Sequence, residues 1–245
     1  GCAKQAVVLY EYQPTRKAEH AEAFLRGFNG WLHADGYQGY HKLPSSIRVV
    51  GCWAHARRKF EEALQTLPKE MQKDSPAAIG ECYCSRLFKL EQTFAGLTPE
   101  ERYEKQLEQE KPVLDALLSW VNEMQVKTAP KSALGRAIHY LLEQWPYLTR
   151  YLEDGRLELS NNRAERSIKP FVMGRKNWLF ANTPGGAQAS AVIYSLIETA
   201  KENKLDPYKY LLWVLQSAPG LSQADEFWAE KLLPANAPQE CHVPQ

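Results

Sequence analysis

One carboxylate, five cations and a bulky aromatic fall within one short stretch of this chain. It reads Leu159-Ser160-Asn161-Asn162-Arg163-Ala164-Glu165-Arg166-Ser167-Ile168-Lys169-Pro170 and continues Gly174-Arg175-Lys176-Asn177-Trp178. Asn161 and Asn162 are good caps, so the pattern predicts a short helix from there, stopped or kinked near Lys169 by Pro170. On that helix Asn162, Glu165, Arg166 and Lys169 share an arc of about 100°. Such a face suits a divalent metal, which a hard carboxylate oxygen binds, or a phosphate, which Arg and Lys neutralise. Taken alone it is also an ordinary exposed helix whose Glu165 to Lys169 pair contributes a few tenths of a kcal/mol. The cations Arg163, Arg166, Lys169, Arg175 and Lys176 stand against one acid, with Trp178 beside them, and this balance favours an anionic polymer.

Two further sets of residues bear on the same chemistry. Asp35 closes a predicted strand and is followed by Gly36-Tyr37-Gln38-Gly39-Tyr40. The crevice outside the carboxyl ends of strands is the usual ligand site of an α/β sheet, although Asp-Gly is also a plain turn signal. Cys52-x-x-His55 ends the next strand and leads into Ala56-Arg57-Arg58-Lys59-Phe60. That is half of a zinc site, and neither Cys82-x-Cys84 nor Cys241-His242 supplies the other half at a suitable spacing. A buried Cys52 and a polar His55 near the site entrance are the conservative assignment, with Arg57 and Arg58 either solvated or contacting phosphate.

The elements that must position these residues change character along the chain. Segments 6–10, 31–35 and 47–53 read as strands, with a helical pattern at 20–28, which predicts an α/β segment over 1–60. From 61 to 155 the pattern is helical almost throughout. Ser75-Pro76 and Thr98-Pro99-Glu100-Glu101 mark helix starts, and Leu114, Leu117, Leu118 and Val121 form an apolar stripe, as do Leu134, Ile138, Leu141 and Leu142. This reads as an all-helical insertion. Over 156–217 the basic helix is followed by two more, with Ile193, Leu196, Ile197 and Ala200 on one apolar face and Tyr208, Leu211, Leu212 and Leu215 on the other. Prolines at 219, 234, 238 and 244 predict a loose tail over 218–245 with a short helix near Phe227 to Leu233.

Composition sets the outer bounds. With 245 residues, 44% hydrophobic and 24% charged, the chain has the make-up of a globular protein with one sizeable core or two smaller ones. A net charge of +1 means that any nucleic-acid site must come from local clustering. Cys2, Cys52, Cys82, Cys84 and Cys241 form an odd set with no signal peptide ahead of them, and no apolar run reaches membrane-spanning length. A reduced, cytoplasmic protein with no membrane partner is expected. Residue 1 is Gly rather than Met and the strand-like run Ala6 to Tyr10 comes almost at once, which leads to the expectation that an upstream part is missing.

Three motifs in order, Trp31-Leu32-His33-Ala34-Asp35-Gly36-Tyr37-Gln38-Gly39-Tyr40, Cys52-Trp53-Ala54-His55-Ala56-Arg57-Arg58-Lys59-Phe60 and Asn161-Asn162-Arg163-Ala164-Glu165-Arg166, closely resemble bacterial insertion-sequence transposases of the family numbered 66. The resemblance continues through Gly174 to Phe180 and Tyr194 to Lys201. It implies an RNase H-like core, incomplete at its N-terminus, with a large helical insertion and an Asp, Asp, Glu triad. Asp35 matches the second Asp, Glu165 the Glu, and Cys52 and His55 a Cys-x-x-His signature. The first Asp lies upstream of this sequence in such families. Two Mg²⁺ (or Mn²⁺) ions would be held by the acids, and the reaction would be DNA strand cleavage and transfer at the ends of a mobile element. Homo-oligomers and accessory proteins of the element are implied as partners beside DNA. The rival expectations are a truncated, inactive derivative that binds DNA or assists assembly, and a helical interaction protein in which Asp35 and Glu165 never meet.

Overall fold

The computed structural model describes residues 6–178, 181, 183–224 and 226–243, with the side chains of 175–178 left out. The chain divides into a unit Lys17–Arg163 and a unit made of Gly1–Arg16 with Ala164–Gln245.

The first unit starts with helix α1 (Ala18–Phe24), strand β1 (Gly30–His33), a 3₁₀ turn (Gln38–Lys42) and strand β2 (Ile47–Val50). The strands pair in parallel, Gly30 opposite Ile47 and His33 opposite Val50. Helices α2 (Trp53–Gln65), α3 (Lys69–Gln72), α4 (Pro76–Thr93), α5 (Pro99–Lys105), α6 (Lys111–Lys127) and α7 (Ala133–Leu148) follow. The expected caps are in place: Ser75 Oγ accepts from the Ala78 amide at 3.2 Å, and Thr98 and Glu101 form a reciprocal capping box.

Trp53, Ala56, Phe60 and Ala63 put one buried face of α2 against α4 and α7. Gly80 is what lets α4 approach, because a Cβ there would lie 2.4 Å from the Phe60 ring. Val50, Leu87, Leu114, Leu117, Val121, Ile138, Leu141 and Leu148 complete the same core, so the helical middle of the chain and the strand-bearing segment share one interior. Each such side chain stabilises by roughly 1.5–3 kcal/mol through burial. Trp53 also donates from Nε1 to the Leu148 carbonyl at 2.9 Å.

A π-turn (Gln106–Glu110) interrupts the run between α5 and α6. Pro112 follows it, and a proline that cannot donate and crowds the carbonyl four residues back explains the widened turn. The turn carries a buried polar cluster. Gln106 donates to Glu91 at 2.7 Å, Arg102 pairs with Glu91, and Glu110 is fully buried with neither carboxylate oxygen hydrogen-bonded. Burial, with Glu91 nearby, pushes the Glu110 carboxyl up to about 8.

The second unit contains α8 from Ala164 onward (the helix spans Asn162–Trp178), α9 (Pro184–Glu202), α10 (Pro207–Ala224) and α11 (Trp228–Lys231). Four expectations need correction here. Residues 6–10 are extended but are not a strand. The Val8 amide donates to Thr199 Oγ1 at 2.9 Å and the Tyr10 amide to Ser195 Oγ at 2.8 Å, while Asn203 Nδ2 donates to the Ala6 carbonyl at 2.7 Å. Two residues of extended chain advance about 6.7 Å and four residues of helix about 6 Å, so polar side chains at every fourth position of α9 can satisfy the segment in place of a neighbouring strand.

Pro170 does not stop α8, which continues to Trp178. An interior proline splays the carbonyls of the preceding turn, and in that turn the Ser167 carbonyl accepts from the Tyr10 hydroxyl. Finally, the face of α10 expected in the core is exposed at Tyr208, Leu212 and Leu215, and Ile193 of α9 is exposed too. Tyr210, Trp213 and Val214 face inward instead, with Ala200, Leu205 and Cys241.

In place of the expected loose tail, the residues after Ala218 extend α10, form α11 and return to α9's end. Leu205 bridges His242, the Asp206 amide donates to the Cys241 carbonyl at 2.8 Å, and the Tyr210 hydroxyl donates to the Leu232 carbonyl at 2.8 Å. Among the described residues no helix is long and apolar enough to cross a membrane.

Candidate metal and nucleic-acid site

Because β1 and β2 run in parallel, their carboxyl ends deliver two of the sequence-selected groups to the same edge. Ala34 continues the register by donating to the Val50 carbonyl at 3.0 Å, and Asp35 then turns out into solvent. Its Oδ1 accepts from the Tyr37 amide at 3.2 Å, an Asx turn that engages one carboxylate oxygen. At the end of β2, Cys52 is buried as the N-cap of α2 and His55 lies in its first turn. The thiol and an imidazole nitrogen lie within 4.8 Å of each other. Two such ligands fall short of the four of a structural zinc site.

Aromatic hydroxyls surround Asp35. Burial first, and then the negative charge of Asp35, raise the Tyr40 phenol. Burial, Cys52 and Asp35 in that order push Tyr140 up to about 12. The His33 ring, in the strand that leads to Asp35, has both nitrogens without a hydrogen bond, and burial holds its pKa below the usual imidazole value. The arrangement is one hard, exposed carboxylate near two phenols, with Glu143 and Arg58 close enough to act on Tyr140, and it suits Mg²⁺ or Mn²⁺ in donor type while calling for further carboxylates to complete a coordination sphere.

The remaining candidates distribute unevenly. Arg57 is drawn into its own helix, paired with Glu61 at 3.0 Å and lying over the Phe88 ring at 5.0 Å. Arg58 is exposed. Glu165 is in the first turn of α8, where a carboxylate is favoured by the positive end of the helix dipole, and it belongs to the other unit from Asp35. Arg163, Arg166 and Lys169 are exposed on α8. Arg175, Lys176 and Trp178 have side chains outside the described residues. The groups that sequence reasoning passed over are Tyr40 and Tyr140. Tyr140, Glu143 and Tyr147 form a second stripe at i, i+3 and i+7 on α7, beside the leucine stripe that marks its core face, and that spacing is the signal that could have found Tyr140.

The model of the transposase IS66 family matches residues 2–189, and that of the IS66 C-terminal element matches residues 195–234. The uncharacterized protein y4qI of Sinorhizobium fredii is 34% identical over 243 residues, which is 94% of this chain and 43% of the relative. The uncharacterized protein y4hP of the same organism is 32% identical over 228 residues, 88% of this chain and 41% of the relative. The chain therefore spans about two fifths of the length of these curated relatives. No solved structure matches it.

Proposed function

Because this chain belongs to the transposase IS66 family, we propose that it supplies part of the catalytic region of a DNA transposase, cutting and joining strands at the ends of a mobile element. The observation that carries the reading is Asp35, an accessible carboxylate held by an Asx turn at the carboxyl end of β1, beside the end of β2. We place this edge in an RNase H-like core, with Asp35 and Glu165 as the two carboxylates that hold divalent metal. Mg²⁺ or Mn²⁺, when bound, would neutralise charge developing on the attacked phosphate and activate the attacking oxygen. The protein's own residues orient and exclude. Asp35 is aimed by its turn, Glu165 is held in the first turn of α8, and Arg58, Arg166 and Lys169 bring DNA phosphates to the acids. The setting is the cytoplasm, with DNA as the principal partner and with self-association and accessory proteins of the element as further ones.

The test is cleavage of an oligonucleotide carrying the element end, in Mg²⁺. Asp35→Asn and Glu165→Gln should each lower the rate at least about 100-fold, the loss of several kcal/mol of metal-derived stabilisation, with folding intact. Undiminished cleavage by either variant overturns the assignment.

A second reading, a DNA-binding or assembly module without chemistry, is favoured by the exposed cations of α8. It predicts no cleavage by the parent protein but a steep salt dependence of DNA affinity. Charge reversal at Arg166 and Lys169 should then flatten log K against log salt by roughly 0.9 per lost phosphate contact, equally for all sequences.

A further inference from the structure

Helix α7 closes the core of the first unit with one face and grips the two segments leaving the sheet with another. The Tyr147 ring stacks on His41 with centroids 4.1 Å apart, and the Tyr147 carbonyl accepts from the Gly51 amide at 2.9 Å. Just beyond the helix, Arg150 donates to the Val49 carbonyl at 2.7 Å. One and two turns before these contacts, on the same face, come Glu143 and Tyr140. Gln38 Nε2 donates to Glu143 at 3.5 Å. Tyr140 meets Gly36 directly, since a Cβ at that position would lie 2.9 Å from the Tyr140 hydroxyl oxygen and 3.0 Å from its ring. Only a residue without a side chain admits the phenol there. Gly36 is the residue next to Asp35, in the Asx turn whose amide bond engages one carboxylate oxygen.

We propose that Tyr140 is a positioning residue for Asp35: its ring wedges the Asp35-Gly36 turn in place, so that the bond from the Tyr37 amide holds the carboxylate at the strand edge. The inference rests on the metal-binding reading of Asp35 for its functional weight. Its structural content stands apart from that reading. The helical insertion thereby takes part in the chemistry by aiming an acid it does not itself carry.

Tyr140→Phe keeps the wedge, Tyr140→Ala removes it, and Gly36→Ala drives a methyl group into the ring. In the 245-residue chain, the ¹³C resonance of the Asp35 carboxylate and the exchange rate of the Tyr37 amide both report whether the turn is held. Tyr140→Phe should leave Tyr37 exchange within about threefold of the parent, a change of less than 1 kcal/mol. Tyr140→Ala and Gly36→Ala should speed Tyr37 exchange about tenfold or more. In the cleavage assay, Tyr140→Ala should raise the Mg²⁺ concentration for half-maximal rate about tenfold, the usual effect of losing a support of a metal ligand, with a smaller change in maximal rate. An Asp35 resonance and a Tyr37 exchange rate both unchanged in Tyr140→Ala overturn the wedge. If Asp35→Asn still cleaves DNA, the metal reading fails, while the resonance and exchange results still decide whether Tyr140 positions Asp35.

Discussion

The two units of this chain are held by different forces. In Lys17–Arg163 a continuous apolar interior runs from Val50 and Trp53 through α4 and α6 to Leu148 and Tyr151. In the unit built from both chain ends, the buried apolar cluster is Ala200, Leu205, Tyr210 and Cys241, and the extended segment 6–10 is fastened by side-chain hydroxyls and an amide. The first resists change of volume and the second change of polarity. A substitution that removes atoms should therefore hurt the first unit most, and one that removes only a donor or acceptor should be felt most in the second.

The largest effect should come from Trp53→Ala. It opens a cavity in the packed interior and leaves the Leu148 carbonyl without its indole donor, so a loss of about 3–5 kcal/mol is expected in denaturant unfolding. A loss under about 1 kcal/mol would show that this interior is not the close-packed one described.

Glu110 tests whether the same interior is sensitive to charge. Its folded pKa is raised to about 8, above the unfolded value of roughly 4.3, so the folded form holds a proton that the unfolded form releases between these limits. The stability it permits is full below the unfolded value and is lost as pH rises toward 8. Glu110→Gln should remove this slope and be more stable than the parent above pH 8 by on the order of 2–4 kcal/mol. Parallel stability curves for parent and variant from pH 5 to 8.5 would mean that the carboxyl is already satisfied in the fold.

For the second unit, Thr199→Val keeps shape and deletes two hydrogen bonds, one from the Val8 amide at 2.9 Å and one to the Val8 carbonyl at 3.1 Å. The expected cost is about 1–2 kcal/mol, read as faster amide exchange at Val8 and Tyr10. If those amides keep their protection, the segment is held by something other than α9. A smaller effect, about 1 kcal/mol, is expected from Thr98→Ala, which dissolves the capping box at the start of α5 and should appear as a modest fall in thermal midpoint.

Local signals are legible in this sequence and nonlocal ones are not, for a physical reason. Ser75 and Thr98 cap helices through atoms three residues away, so their role is written in the sequence beside them. Asp35 and Cys52 follow strands short enough to be recognised, and their placement at one edge follows from parallel pairing. Residues 6–10 have strand composition, but their partners are hydroxyls on α9, far away in sequence, and composition does not encode a partner. Pro170 and Pro219 look like stops, yet α8 and α10 run through them. The inward face of α10 differs from the expected one because Tyr208, Leu212 and Leu215 make as good an apolar stripe as Tyr210, Trp213 and Val214, and only packing chooses between them. The stripe Tyr140, Glu143 and Tyr147 marks a second face of α7 in the sequence, but the meeting of Tyr140 with Gly36 is made by the fold rather than by spacing.

The grip of α7 on the strand ends also limits how this protein can change length. Tyr140, Glu143 and Tyr147 lie on one side of the helix, so inserting or deleting a single residue between Tyr140 and Tyr147 would rotate the later contacts by about 100° and detach either Gly36 or His41. Growth and shrinkage within the helical middle should therefore collect in the connections between α2 and α4 or between α6 and α7. Between Tyr140 and Arg150 the reading frame of the helix is locked, and chains of different length should share that interval residue for residue.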